Sequence, residues 1–330
     1  MIKLVPQLVP GGIKRIALAL CALALSGACA AADYPAKSVH FIVPFPPGGG
    51  TDAVARILGS RLAKMWGEQV LVENRSGAQG NIGTALGVKA APDGYTLIFA
   101  HQGVLTINAH LYDKIGFDPL KDLVPVAKTT EQPFVVVINP ALPARSLKDL
   151  TELAKKDPGK LTFASSSSGP QMAGEMYKMA SGADLLHVAY KGAGPALVDV
   201  LAGHVNMMFA NPSSAAPHVK SGKLRALAVF GKKRIDAMPD VPTAQEAGYA
   251  QLGENPEWYG VAVPVGTPAA IIAKLNADIV AALAAPEVDK AIRALGLTPS
   301  LGTPEEFARQ IREDHAAWGK VVKASGVKAE

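Results

Sequence analysis

Short apolar runs alternate with amphipathic segments over most of the chain. The runs are rich in β-branched residues and are short enough to be buried strands, and eight are predicted: Val39–Phe45, Gln69–Glu73, Thr96–Ala100, Val135–Ile138, Leu161–Ala164, Leu186–Ala189, Val205–Ala210 and Leu224–Phe230. Between them apolar residues recur at helical spacing, as in Ala53–Met65, where Val54, Leu58 and Leu62 fall on one stripe. This alternation predicts an α/β fold with parallel sheets covered on both faces.

Two extended segments divide this pattern. Val124–Asn139 is long and interrupted by Pro133, and Trp258–Pro264 precedes a C-terminal part that is predicted to be helical. A mature chain of about 300 residues exceeds a single comfortable core. We therefore predict two α/β domains, the first discontinuous (residues 33–130 and 258–330) and the second inserted in it (residues 131–257). Two such crossings predict a hinge and an interdomain cleft.

The first 32 residues have the features of a secretory signal peptide. A basic start is followed by Ile16–Leu25, an apolar stretch too short to span a bilayer, and small residues offer A-x-A cleavage options near Ala30–Ala32. A lipoprotein start at Cys29 is the alternative, although Ser26 stands where an aliphatic residue is needed. We expect the leader to be removed and the mature protein to be periplasmic.

Composition and charge exclude several classes of protein. Both cysteines, Cys21 and Cys29, lie in the leader, so the mature chain is expected to have neither a disulfide nor thiol chemistry. The leader also holds three of the 33 Lys and Arg residues and none of the 28 Asp and Glu residues, which leaves 30 basic against 28 acidic residues and a net charge of +2. This balance gives no reason to expect a nucleic-acid partner. No later apolar stretch is long enough to predict a membrane span.

A glycine-rich turn follows the first predicted strand. Residues 44–52 read PFPPGGGTD, and Gly48, Gly49 and Gly50 leave backbone N–H groups accessible at the start of a helix, where an anion can bind. Thr51 or Asp52 is expected to cap that helix. Because Asp52 would repel an anion as a direct partner, we assign it the capping role. A tight turn without any ligand is the competing interpretation.

The same turn also matches a dinucleotide-binding fingerprint. Gly48-x-Gly50-x-x-Ala53 is followed about 20 residues later by Glu73, which makes an oxidoreductase the alternative function. Export, the stiff Pro46-Pro47 pair ahead of the glycines and the weakness of the motif by itself count against it. A Walker A loop is excluded because no lysine follows the glycines.

Similar loops recur three times between a predicted strand and a predicted helix. They are Ser76–Thr84 (SGAQGNIGT), Ala164–Gln171 (ASSSSGPQ) and Tyr190–Ala196 (YKGAGPA). In open α/β sheets such loops gather at the carboxyl ends of the strands, where ligands bind. Two loops fall in each predicted domain, so that together they would suit a ligand with two anionic ends.

Several segments resemble one known family. PFPPGGGTD, VENRSGAQGNIG, APDGYTL, YKGAGPALVDVLAGHV, KLRALAV, MPDVPTAQEAG and TPEEFARQIR are similar, in this order, to segments of the receptors of the tripartite tricarboxylate transporter, also called Bug proteins. The resemblance covers essentially the whole mature chain. It implies a periplasmic solute-binding protein, a monomer that captures a small organic carboxylate and delivers it to the membrane subunits of the transporter. A receptor that serves a sensor kinase is a variant that the sequence leaves open.

The resemblance also implies where the ligand binds. Family members bind carboxylate oxygens with main-chain N–H groups, hydroxyls and bridging waters at the four loops. We add His101 and Gln102 because they follow a predicted strand, although a location at the loop surface is equally compatible with the sequence. The predicted ligand-binding residues are Phe45, Pro47, Gly48, Gly49, Gly50, Thr51, Asp52, Gly80, Asn81, Ile82, Gly83, His101, Gln102, Ser165, Ser166, Ser167, Ser168, Gln171, Tyr190 and Lys191.

The remaining candidates carry weaker signals. Gln171 stands where many relatives have a histidine opening the helix, and it stays a donor and acceptor but cannot become charged. The seven histidines lack metal-ligand spacing, so we expect no metal, and no nucleophile motif is present. The resemblance implies that the protein has neither catalytic activity nor a cofactor. Packing is expected for His187 and for Trp258-Tyr259, with lining of the pocket as the alternative for the latter pair. Solvation is expected for Lys191, with anion binding as its alternative, and for Lys232–Arg234, with partner docking as its alternative.

Overall fold

Two β-sheets covered by helices make up the computed structural model, which describes residues 34–252 and 256–328. The strands are β1 Val39–Val43, β2 Val70–Asn74, β3 Thr96–His101, β4 Leu123–Gln132, β5 Phe134–Ile138, β6 Leu161–Ser165, β7 Leu185–Ala189, β8 Met207–Ala210, β9 Arg225–Phe230, β10 Glu257–Pro264 and β11 Thr298–Pro299. The helices are α1 Gly50–Trp66, α2 Asn81–Val88, α3 Asn108–Leu111, α4 Leu147–Lys156, α5 Ser168–Ser181, α6 Ala193–Ala202, α7 Pro212–Lys220, α8 Ala269–Leu283, α9 Pro286–Ala294 and α10 Pro304–Ser325. Each of the eight predicted strands overlaps an observed strand, whereas the predicted signal peptide lies outside the described residues.

The first sheet has the strand order β11-β4-β10-β3-β1-β2. Helix α1 packs on one of its faces through the predicted stripe, because Val54, Leu58 and Leu62 are fully buried in the same core as Leu275 and Ile279 of α8. Full burial of one such side chain stabilises the fold by about 1.5–3 kcal/mol. The stripe therefore fixes α1, and with it the glycine loop that precedes this helix, against the sheet.

The second sheet has the strand order β7-β6-β8-β5-β9 and is covered on both faces. Strand β5 shows this directly: Phe134 and Val136 lie in one apolar core, and Val135 and Val137 lie in the core on the opposite face. Alternate residues of a strand point to opposite faces. A run of five buried residues therefore requires apolar cover on each side.

The expectation of parallel sheets is wrong for the strands that connect the two sheets. Strand β4 ends at Gln132 in the first sheet and β5 begins at Phe134 in the second, with Pro133 between them. Strand β10 returns to the first sheet and pairs antiparallel with both β3 and β4, and β5 pairs antiparallel with β8 and β9. Helical crossovers keep consecutive strands parallel, whereas these direct crossings do not. Both sheets are therefore mixed.

A small apolar cluster joins the helices of the two sheets. Ile107 and Leu111, which follow β3, pack with Met172 of α5 and with Trp318 and Val322 of α10. In the part of the chain that the structure describes, no single helix is long and apolar enough to cross a membrane. Helices α8 and α9 meet that criterion only as a pair, and they are bent by 73° at the break between them.

Candidate functional site

A cavity of about 220 Å³ lies between the two sheets, where the N-termini of four helices meet. Helix α1 comes from the first sheet, and helices α5, α6 and α7 come from the second. The described residues that line the cavity are Phe45, Pro46, Pro47, Gly48, Gly49, Gly50, Thr51, His101, Ser166, Ser167, Gly192, Ala193, Gly194, Pro195, Asn211, Ser213, Ser214 and Tyr259. No Asp, Glu, Lys or Arg is among them. Free N–H groups and the aligned peptide dipoles at helix N-termini favour an anion.

The glycine loop presents three free backbone donors to this cavity. The N–H groups of Gly49, Gly50 and Thr51 have no hydrogen-bond acceptor among the described residues, as expected at a helix start. Gly48 differs from the expectation that all three glycines leave their N–H groups accessible, because its N–H donates to Asp52 Oδ2 at 3.0 Å. Gly48 has φ +87°, a conformation that favours glycine. The loop therefore needs Gly48 for its shape and offers the next three N–H groups to a ligand.

Asp52 holds the loop together and does not line the cavity. Its buried carboxylate accepts hydrogen bonds from Gly48 N–H, from Arg56 Nε at 3.1 Å and from Asn74 Nδ2 at 3.0 Å. Burial alone would raise the pKa of Asp52, but these hydrogen bonds hold the pKa below its ordinary value. The predicted capping role is wrong in detail, since Gly49 is the N-cap and no side chain caps the helix.

Two hydroxyl groups approach the first residue of α1. A Cβ atom on Gly50 would lie 2.6 Å from Ser213 Oγ and 3.6 Å from Tyr259 Oη, so both hydroxyls point at this backbone. Ser213 Oγ is buried and has no hydrogen-bond partner among the described residues. For Tyr259, packing was favoured over lining the pocket. It does pack, with its ring centroid 5.3 Å from that of His101, but it also forms part of the cavity wall.

His101 is a neutral part of the cavity wall. The ring is 3% exposed, Nδ1 accepts the N–H of Gly103 at 3.1 Å, and the ring centroid lies 4.6 Å from that of Phe45. Desolvation lowers the pKa of His101 to about 3. Since Nδ1 is an acceptor, the neutral ring carries its proton on Nε2, which faces Glu257 Oε1 at 3.2 Å.

A second cavity, of about 950 Å³, adjoins the first and shares Phe45, Pro46 and Ser166 with it. Gln171, which lines this larger cavity, is 4% exposed, and its Oε1 has no partner among the described residues. The strained loop residues Ala78 (φ 45°) and Gln79 (φ 50°) line it as well. Strain of this kind is typical of binding sites. A ligand chain could thus extend from the small cavity towards Gln171.

The other predicted residues fall into two groups. Gly80, Tyr190 and Lys191 line the larger cavity. Outside both cavities are Asn81, Ile82, Gly83, Gln102, Ser165 and Ser168.

Specific contacts explain most of these outer positions. The Asn81 side chain accepts from Asn108 Nδ2 at 2.7 Å, and Ile82 is 59% exposed on α2. Gln102 donates to Pro256 O at 3.1 Å, and Ser165 Oγ bonds the ring of His187 at 2.7 Å. These contacts hold the side chains within the fold, while Asn81 Nδ2, Gln102 Oε1 and Ser168 Oγ are buried without a partner among the described residues.

Sequence reasoning missed the fifth strand-to-helix loop. Asn211, Ser213 and Ser214 lie between β8 and α7 and supply part of the cavity wall. The signal was present as Asn-Pro-Ser-Ser directly after an apolar run, with Asn at the N-cap and Pro at the first helical position. Among the described residues there is no group of three or more His, Cys, Asp or Glu side chains that could hold a metal ion.

A cavity between two α/β layers, lined by helix N-termini, is a typical place for a small molecule to bind. A family model described as the tripartite tricarboxylate transporter family receptor matches residues 54–327, and the chain belongs to this family. It is therefore a receptor and not an enzyme, and the oxidoreductase alternative is wrong. Consistent with this, Glu73 hydrogen-bonds His40 and Arg75 instead of standing free for a ribose.

Individual relatives are similar along nearly their whole length. Protein BugT of Bordetella pertussis is 38% identical over 316 residues, which cover 95% of this chain and 97% of that protein. A protein of R. palustris, solved with adipate, is 33% identical with a TM-score of 0.86, covering 89% of this chain and 99% of that one. MatC of Rhodopseudomonas palustris, solved with bound malate, is 32% identical with a TM-score of 0.83, covering 88% of this chain and all of that one (100%).

Proposed function

We propose that this chain is an exported receptor that captures a small organic carboxylate in the interdomain cleft and delivers it to the membrane subunits of a tripartite tricarboxylate transporter. The observation that carries the proposal is the meeting of four helix N-termini around a cavity without a charged side chain. Backbone and hydroxyl donors recognise a carboxylate without requiring a cation. The net charge of the cavity wall stays zero because His101 is neutral.

One carboxylate would lie in the small cavity, bound by the N–H groups of Gly49–Thr51 and by the hydroxyls of Ser213 and Tyr259. The rest of the ligand would pass Phe45 and Ser166 into the larger cavity. Adipate and malate, the molecules in the two similar structures, are both dicarboxylates. This supports a dicarboxylate or a related carboxylate as the ligand class.

The cavity walls also support the predicted hinge. Donors from α1 and donors from α5–α7 belong to different sheets, and the chain passes between these sheets at Pro133 and before β10. We infer that residues 33–130 with 258–330 form one lobe, that residues 131–257 form the other, and that the ligand favours their closure. The leader, residues 1–32, supports export to the periplasm.

Calorimetric titration of the mature protein tests the proposal. We expect adipate, malate or citrate to bind with a 1:1 stoichiometry and NADH not to bind. Small-angle scattering at a saturating concentration of the best carboxylate should show a smaller radius of gyration. Binding of NADH with no response to any carboxylate would refute the proposal.

A further inference from the structure

A fully buried carboxyl group lies behind the wall of the small cavity. Glu257, at the start of β10, is 0% exposed. Its Oε2 accepts from Gln132 Nε2 at 3.0 Å, from Tyr259 Oη at 3.2 Å and from Asn211 Nδ2. Its Oε1 lies 3.2 Å from Nε2 of His101. His101, Asn211 and Tyr259 also line the cavity, and Asn211 and Tyr259 are hydrogen-bonded to Glu257, so one hydrogen bond separates Glu257 from the proposed ligand site.

No positive charge compensates this carboxyl group. Among the residues that the structure describes, no Lys or Arg nitrogen lies within 4.0 Å of Glu257, and His101 stays neutral. Strand β4 presents only the amide of Gln132, and the loop before α7 presents only the amide of Asn211. Helix α5 presents the backbone of Gly169, on which a Cβ atom would lie 2.7 Å from Oε1.

Two further titratable groups belong to the same region. Tyr259 is buried beside Glu257 on β10, and burial raises the pKa of its hydroxyl well above the ordinary value, so it stays protonated. Asp314 of α10 accepts from Trp258 Nε1 at 2.6 Å, and burial raises the pKa of Asp314 too. Neither group offers a positive charge to Glu257. Desolvation accordingly raises the pKa of Glu257 to about 7, despite the hydrogen bonds from Asn211 and Gln132.

We propose that capture of an anionic ligand in the small cavity is coupled to the uptake of one proton by Glu257, with the hydroxyl of Tyr259 as the group that links them. The inference rests on the proposed function, since it requires a carboxylate near Gly50. A second negative charge next to an uncompensated buried carboxylate is unfavourable, and protonation of Glu257 removes that repulsion.

The hydrogen-bond geometry explains how Tyr259 serves both states. In the ligand-free receptor with Glu257 ionised, Tyr259 O–H donates to Oε2 of Glu257, and Tyr259 Oη accepts from Gln132 Nε2 at 2.6 Å and from Asn211 Nδ2 at 3.3 Å. When Oε2 takes up a proton from solvent, the new Glu257 O–H donates to Tyr259 Oη in place of Asn211, which keeps Glu257 as its acceptor. The Tyr259 proton then turns towards the cavity and donates to the ligand carboxylate. Tyr259 keeps its own proton throughout, so the net change is one proton bound per ligand.

The sign of the linkage follows from the pKa of Glu257. Below about pH 7 the carboxyl group is already neutral in the free receptor, and binding exchanges few protons. Above about pH 7 the free receptor is ionised, so affinity falls as pH rises, by at most tenfold per pH unit. The total loss of affinity is set by the repulsion between the ligand carboxylate and ionised Glu257. For two unit charges about 6 Å apart at an effective dielectric constant of about 20, this repulsion corresponds to a loss of roughly 100-fold.

Calorimetry in buffers of different ionisation enthalpy tests the coupling. Adipate and malate are titrated into the wild-type receptor between about pH 6 and pH 9. Over most of this range both ligands are ionised and take up few protons themselves. We expect a proton uptake near zero at about pH 6 and about half a proton or more at about pH 8. Glu257→Gln should abolish the uptake and flatten the pH dependence of the dissociation constant. Asp314→Asn, which removes another buried carboxyl group beside β10, should retain both.

Each outcome supports or overturns the inference. The inference is overturned if the wild type binds a carboxylate without proton uptake. It is also overturned if the uptake is lost in Asp314→Asn and kept in Glu257→Gln. Both outcomes leave the proposed function intact. Failure of every carboxylate to bind at any pH overturns both. If Glu257→Gln does not fold, ¹³C NMR of the wild-type glutamate carboxyls decides. One carboxyl must titrate near pH 7 and move to higher pH with saturating adipate, and a spectrum without such a carboxyl refutes the coupling.

Discussion

Replacement of Gly50 by alanine should separate ligand affinity from stability. The added Cβ would lie 2.6 Å from Ser213 Oγ and 3.5 Å from Ser213 Cβ, so one of the two residues has to shift. Gly50 and Ser213 lie with different sheets, in the two lobes that we propose. If the cleft opens as proposed, these residues move apart and the clash disappears. The substitution therefore acts against the closed, ligand-bound form.

Gly50→Ala should weaken ligand binding but stabilise the ligand-free protein. Overpacking of a tight contact typically costs about 1–3 kcal/mol, which corresponds to an increase of about 5- to 150-fold in the dissociation constant. The ligand-free protein should gain up to about 1 kcal/mol, because Gly50 is helical and alanine restricts the unfolded chain. Calorimetric titration with adipate or malate gives the first quantity, and urea unfolding without ligand gives the second.

Two further variants isolate the contact. Gly49→Ala is the matched control, because its Cβ would meet only Thr51 Oγ1, at 3.9 Å, and φ is −87°, so it should bind within about threefold of wild type. In the double variant Gly50→Ala/Ser213→Ala the 2.6 Å contact is gone, and part of the affinity should return. If Gly50→Ala binds as tightly as Gly49→Ala, the two lobes do not close on each other at this contact.

Three other predictions follow from the same structure. Burial raises the pKa of Glu257 from 4.5 to about 7, so the neutral carboxyl group stabilises the fold at low pH. The free energy of unfolding should therefore fall by about 3 kcal/mol as pH rises from about 4.5 through 7. Urea unfolding of Glu257→Gln should lack this fall, and a pH profile equal to that of the wild type would contradict the prediction. Gln171→Leu should weaken the binding of a dicarboxylate by about 0.5–1.5 kcal/mol and leave the binding of a monocarboxylate unchanged, as measured by calorimetry. Equal losses for both ligands would show that Gln171 does not contact the second carboxylate. N-terminal sequencing of periplasmic protein should begin within residues 31–33, and a start at Met1 would exclude cleavage.

Periodicity was sufficient to predict most elements and all but one of the strand-to-helix loops that line the cavity. The glycine loop at Gly48–Gly50 and the serine loop at Ser165–Ser168 were expected at strand ends, and the cavity is lined by residues of both. These predictions rest on local signals, because a strand-to-helix turn is determined by residues that are neighbours in the chain. The recurrence of such loops was more informative than any one of them.

Long-range pairing explains what the sequence did not reveal. Tyr259 reaches the cavity because β10 inserts antiparallel between β3 and β4, which pairs Tyr259 with His101 across the sheet. No periodicity predicts that register, since it depends on two segments more than 150 residues apart. Glu257 was missed for a related reason. Glutamate is almost never fully buried unless it is paired, and its partners lie far away in the chain, Gln132 at the end of β4 and Asn211 in the loop before α7.

The absence of a cation from the described wall of the small cavity has a consequence for release. An arginine on one lobe would hold a carboxylate through a charged, bidentate contact even in an open cleft. Here the donors are divided between Gly49–Thr51 on one lobe and the starts of α5, α6 and α7 on the other. Either lobe alone offers only part of them, so affinity depends on closure. A membrane partner that binds the open form more tightly would therefore release the ligand without any change in its chemistry.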